Sequence, residues 1–209
     1  ALAEQHRHGR RVRVVLENTY STPWSDQHEA ELSPHLRGRR YQLLQLADRN
    51  HDGVLSPAER EAGDAVLILR RAGVPVIDDR EDGSTGSGLM HSKYLVVDGR
   101  TVVTGSANFT PSCIHGDPDD PRTRGNVNHL MRIESAPLAA LFKQDFTTMW
   151  GDGPGGLADS RFGIAKASGP ARTVLVGHVP IEVLFAPHRK DDANNGLNLL
   201  AATLSEAKR

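Results

Sequence analysis

Cysteine is nearly missing from this chain. Cys113 stands alone among 209 residues, which excludes an internal disulfide and a cysteine-built zinc site. Aromatic residues make up only 5%, leaving little for a base-stacking platform. No charge of one sign dominates: 25 Lys and Arg meet 26 Asp and Glu for a net charge of −1. A dedicated nucleic-acid binder carries a basic surplus instead. The one local basic stretch, residues 7–13, reads as a solvated helix end. Long apolar runs are absent, so no segment of about 18 apolar residues is available to span a membrane.

Signals at the two ends are also scarce. There is no initiator Met and no signal-peptide pattern. Leu197, Leu200, Ala201 and Leu204 form a helical stripe in 196–209, and no cap follows before the sequence stops. These features lead us to expect an excerpt of a longer protein.

What is present alternates between strand and helix signals. Residues 12–16 read as a buried strand, 36–47 and 57–72 as helices, and 74–77 as a strand after a helix-terminating Gly73. Residues 78–88, acidic and glycine-rich, read as an exposed loop. Strands at 93–97 and 101–105 flank Asp98-Gly99, a hairpin signal, and a further strand and helix are expected at 127–133 and 137–149. Strands at 174–176 and 182–185 open a second set. The alternation predicts an α/β layered fold, a mixed sheet flanked by helices.

The segment HSKYLVVDGRTVVTGSAN carries the chemistry. Residues two apart on a strand face the same way, so His91 and Lys93 are expected to project together. Ser106 and Asn108 repeat that spacing beyond the partner strand. A nucleophilic imidazole, a fixed cation and small hydrogen-bond donors suit phosphoryl transfer, which relies on positioning and charge neutralisation. Gly105 and Asn128 are assigned to substrate binding. Asp98 belongs to the same pattern, but Asp is also favoured at turns for backbone reasons. A lone His-x-Lys would suggest nothing more than an exposed hairpin. The full spacing H-x-K-x4-D-x6-G-S-x-N is far more specific.

That pattern resembles the HKD motif of the phospholipase D superfamily at every defining position. Residues 10–20, 73–79, 124–133 and 142–156 are also similar to bacterial phospholipase D-like proteins. The resemblance implies a catalytic half in 1–150, with an insertion at 35–72. A linker at 151–173 and an incomplete second repeat at 174–209 would follow. It further implies a site built from two motifs, in one longer chain or across a homodimer. One His would attack phosphorus, and the other would protonate the leaving alkoxide. Only one motif occurs here, so this stretch alone is expected to be inactive. Its departure from the pattern is NVNH at 126–129, where Asn128 replaces a Glu that helps orient the catalytic His. His188 precedes Arg189 and Lys190 without the rest of a motif and reads as a solvated loop residue.

A second pattern lies within the insertion. DRNHDGVLSPAE, residues 48–59, fits the twelve-residue EF-hand loop. Asp48, Asn50, Asp52, the Val54 carbonyl, Ser56 and Glu59 would supply hard oxygen ligands for Ca2+. Ser56-Pro57-Ala58-Glu59 doubles as a capping box for the exiting helix. With no second loop to pair with, modest affinity and a structural role are expected, because the histidine chemistry needs no metal. A weak calcium loop fits an exported or cell-surface protein, and the compartment stays open.

The leading functional expectation is cleavage or transfer of a phospholipid headgroup through a phosphohistidine. A nuclease on DNA or RNA is the alternative, since such sites serve both substrates. An alternative of another class is a non-catalytic, calcium-dependent binding module on the same fold.

Overall fold

A computed structural model of the chain describes every residue except 84–88, 115, 117–121, 123, 124, 167, 168 and 209. The later part of the expected 78–88 loop and Arg124 therefore lie outside the described residues. After a short helix α1 (Leu2–Arg7), β1 (Val14–Leu16) pairs in parallel with β2 (Val76–Asp78), Val14 opposite Val76. Parallel neighbours need a long crossover. Here it holds three single 3-10 turns and helices α2 (Pro34–Ala47), α3 (Pro57–Gly63) and α4 (Ala65–Arg71).

Next comes an antiparallel sheet in the order β3 (Tyr94–Val97), β4 (Thr101–Gly105), β5 (Leu130–Glu134). Asp98 and Gly99 turn the β3–β4 hairpin with φ of 52° and 63°, the left-handed pair that a two-residue turn of this twist requires. A one-turn helix, α5 (Pro111–Ile114), lies between β4 and β5. Helix α6 (Ala136–Trp150) packs on β3 and β4. A last hairpin, β6 (Arg172–Val176) with β7 (Val179–Val183), precedes α7 (Gly196–Glu206). The whole is a mixed α/β architecture, as the alternating signals predict, but among the described residues the strands form three small sheets, one parallel and two antiparallel, in place of the expected single mixed sheet.

Helix α6 organises the core because its apolar residues recur at three- and four-residue spacing. Leu138, Ala139 and Phe142 bury Val102 of β4, and Tyr94, Ile133, Ile181 and Phe185 close around them. About two turns further, Met149 and Trp150 meet Ile77 of β2 and Phe162. Burying a Leu138-sized side chain contributes about 2 kcal/mol. Between α6 and β6, Ser160, Phe162 and Lys166 are buried.

Several sequence expectations need correction. The helix expected over 57–72 is two helices broken at Asp64, whose carboxylate caps α4 by accepting from Val66 and Leu67 N–H. Its other oxygen accepts from Ser25 N–H at 2.9 Å, so a tertiary bond favours the break. The strand expected at 93–97 starts at Tyr94, so His91 and Lys93 precede it, outside any strand or helix. The helix expected to run to the last residue ends at Glu206.

Candidate active site

Strand direction gathers the motif. β3 and β4 run antiparallel with Tyr94 opposite Thr104, and β4 meets β5 with Gly105 opposite Leu130. The approach to β3, the exit of β4 and the approach to β5 therefore share one end of the sheet. Residues 91–93, 105–108 and 126–129 collect there. Asp98 lies at the opposite end, exposed in its turn, which separates it from the other motif residues.

Gly105 makes the junction possible. A Cβ at this position would run into the His129 carbonyl, so only glycine lets β5 approach so closely. Ser106 then knits the two strands: its N–H donates to His129 O at 3.1 Å, and its hydroxyl accepts from His129 N–H at 3.2 Å. The same hydroxyl donates to Asn128 Oδ1 at 3.0 Å. Asn128 spends its amide hydrogens on the carbonyls of Cys113 (3.2 Å) and Asn126 (3.1 Å). These bonds direct it toward Ser106 and α5, whereas the superfamily resemblance gives this position the task of orienting the histidine.

His91 is exposed and lines a shallow crevice with Met90, Phe162, Lys166 and Pro187. Lys93 is half-buried, and its ammonium donates to the His91 carbonyl at 2.6 Å, which keeps the charge beside the His91 backbone. Burial lowers the Lys93 pKa, and neighbouring Cys113 acts in the opposite direction. A partly desolvated ammonium attracts a phosphate oxygen more strongly than one in open water. A wider cleft of about 410 Å3, lined by Ser21, Arg70, Val74, Asp78 and Arg80 among others, contains none of the motif.

Sequence reasoning missed Cys113. Its thiol pKa is lowered to about 7, first by a hydrogen bond from the Asn108 backbone and then by the side chains of Asn126 and Thr110. It also missed the buried support beneath β3. Tyr94 donates its hydroxyl to Asp145 Oδ2 at 2.9 Å, and Lys166 pairs with Asp145 Oδ1 at 2.7 Å. Burial, with the Asp145 charge beside it, pushes the Tyr94 pKa upward. An acidic residue on an apolar helix face was the available signal for Asp145. Exposed Phe109, Ile114, Val127 and Leu130 belong to the segments that gather at the site.

The 48–59 loop stands apart from this site, between α2 and α3. Asp48 accepts from Asp52 N–H (3.3 Å) and Gly53 N–H (2.8 Å), and Asp52 accepts from Val54 N–H (2.8 Å). Asn50 donates to Asp52 Oδ2 at 2.9 Å. Glu59 Oε1 takes the N–H groups of Arg49 and Asn50, while Oε2 takes the Ser56 N–H and hydroxyl. The oxygen chemistry suits Ca2+, but the carboxylates face the loop's own amides. Among the described residues, no three His, Cys, Asp or Glu side chains group closely enough to hold a metal ion.

The α/β fold, with a His-x-Lys segment beside Ser and Asn at one sheet end, is of the phospholipase D-like class. The family described as "Cardiolipin synthase, PLD-like domain" matches residues 1–150, and the chain belongs to it. Among curated proteins, it is 30% identical over 88 residues to mitochondrial cardiolipin hydrolase of Homo sapiens, covering 42% of this chain and 29% of that protein. The Xenopus tropicalis protein of the same name is 32% identical over 89 residues, 43% of this chain and 36% of that one. The Mus musculus protein is 28% identical over 88 residues, 42% and 34% of the respective chains. The matches thus span about a third of those relatives. No solved structure gives a significant match. No described helix is long and apolar enough to cross a membrane.

Proposed function

We propose that this chain supplies one half of a phosphodiesterase site that cleaves or transfers a phospholipid headgroup through a phosphohistidine. The reading rests on the sheet end where residues 91–93, 105–108 and 126–129 gather. A His91 ring nitrogen donates its lone pair to phosphorus, and the bond from phosphorus to the leaving alkoxide breaks. A general acid on a second half, from a longer chain or a second copy, protonates that alkoxide. The same group, now a base, takes a proton from water, whose oxygen attacks phosphorus as the bond from phosphorus to His91 nitrogen breaks. Lys93, Ser106 and Asn108 neutralise and hold the non-bridging oxygens. The low aromatic content and balanced charge favour lipid over nucleic acid.

Trapping a labelled phosphoenzyme in the intact protein tests the chemistry. His91→Ala is expected to abolish the label and His188→Ala to keep it; equal labelling of the two variants refutes the assignment. Choline release from phosphatidylcholine, measured beside cleavage of single-stranded DNA, separates lipid from nucleic acid.

A structural calcium site in the 48–59 loop is a second, separate part of the proposal. Its support is the oxygen donor spacing and the left-handed His51 and Gly53, with φ of 58° and 78°. Glu59 would exchange hydrogen bonds to Arg49, Asn50 and Ser56 for ligand bonds. Calorimetry with Ca2+ and melting with a chelator test it. Absence of heat together with an unchanged melting point removes the site.

A further inference from the structure

We infer that Asp79 is the positioning residue for His91, an inference that rests on the reading of His91 as the nucleophile. Asp79 follows β2 and is fully buried, with 0% of its surface exposed. Its Oδ1 accepts from the Asn18 N–H at 3.0 Å and from the Asn18 side-chain amide at 2.9 Å. Its Oδ2 accepts from the Met90 N–H at 2.8 Å. An ionised carboxylate only accepts, so it can satisfy all three donors where a neutral isostere cannot. One side chain therefore ties the segment after β1, the end of β2 and the residue preceding His91.

Met90 is held twice. Its amide is fixed by Asp79, and its side chain packs on the core of Ile77, Met149, Trp150 and Phe162. Downstream, the Lys93 carbonyl accepts from the Gly105 N–H at 3.3 Å and the Thr104 hydroxyl at 2.9 Å. The His91 backbone is thus anchored one residue before and two residues after. Lys93 depends on the same geometry, because its ammonium donates to the His91 carbonyl. Asp79 touches no reacting atom. It sets where the imidazole begins, and a displacement of about 1 Å can cost on the order of 100-fold in turnover.

Asp79→Asn is the discriminating variant. It keeps the shape and one acceptor but presents an NH2 group to a donor, disrupting the Asn18 or Met90 bond. In the intact protein, with bis(p-nitrophenyl) phosphate as probe, kcat is expected to fall about 100-fold while KM stays within about twofold. Ring signals of His91 in a 15N-imidazole NMR spectrum are expected to shift or multiply. Unchanged ring signals in a folded Asp79→Asn variant overturn the inference. So does a folded variant with wild-type kcat, or an activity loss that only tracks the fraction unfolded. Should Asp79→Asn not fold, Asn18→Ala decides by the same NMR readout: a perturbed His91 ring supports the inference and an unchanged one defeats it. Wild-type turnover that survives His91→Ala would instead refute the nucleophile assignment, leaving the NMR comparison to judge Asp79 separately.

Discussion

The carboxylates of this chain divide by how far along the sequence their partners lie. In the 48–59 loop, Asp48, Asp52 and Glu59 bond to groups two to ten residues away. Beneath the motif, Asp79 reaches 61 residues back to Asn18, and Asp145 reaches 51 back to Tyr94. The first group shapes a local turn that sits between two helices. The second group fastens separate elements. A local carboxylate can be lost with the turn partly intact, whereas a long-range one is shared by everything it ties.

The largest effect is therefore expected at the Asp145–Lys166 pair. Lys166 and Asp145 keep only 5% and 4% of their side-chain surface exposed, so removing either one strands a buried charge. Lys166→Met is expected to destabilise by about 3–5 kcal/mol in denaturant unfolding. Replacing both together, Asp145→Leu with Lys166→Met, is expected to recover part of that loss, because no charge is then left unpaired. If Lys166→Met costs no more than a surface substitution, the contrast between the groups fails.

Asp64 sharpens the comparison because it does both jobs. It caps α4 locally and also reaches Ser25 across 39 residues while only 1% exposed. Asp64→Ala is expected to cost about 2 kcal/mol, between a simple cap and a buried pair. Asn at this position retains one acceptor and is expected to lose less. Thermal unfolding of the two variants against wild type measures this.

The same division explains what the sequence made legible. The hairpin, the capping box and the His91–Asn108 spacing depend on residues close in the chain, and their signals could be read directly. Strand boundaries at β2 and β5 differ by one to three residues, because pairing partners set the ends. The break at Asp64 was hidden, since its decisive partner, the Ser25 amide, lies across the fold. Asp79 and Asp145 stayed hidden for the same reason. Nothing adjacent to Asp79 names Asn18 as its donor; the parallel pairing of β1 with β2 brings the two together. Placing Asn128 opposite a glutamate by motif alone likewise left its bond to Ser106 unseen.

The smallest effect, and the cleanest probe of the local group, is the titration of Glu59. Its pKa is lowered to about 2 from the usual 4.5, first by the Ser56 hydroxyl and then by the backbone N–H groups of Ser56 and Arg49. A carboxylate depressed on folding stabilises above its unfolded pKa, and that contribution is lost as pH falls through the folded value. The loop should therefore keep its Glu59 bonds at pH 5 and shed them progressively between about pH 4.5 and 2. A 13C titration of the Glu59 carboxyl is expected to give a midpoint near 2. In Ser56→Ala the midpoint should rise, because the largest cause is removed. Ser56→Ala should leave the β3–β4–β5 sheet as it is in wild type, since none of the sheet's carboxylate ties runs through the loop. A midpoint at the ordinary value would mean that the loop's hydrogen bonds do not hold its carboxylate in solution. The local group would then be a surface turn without the order assigned to it.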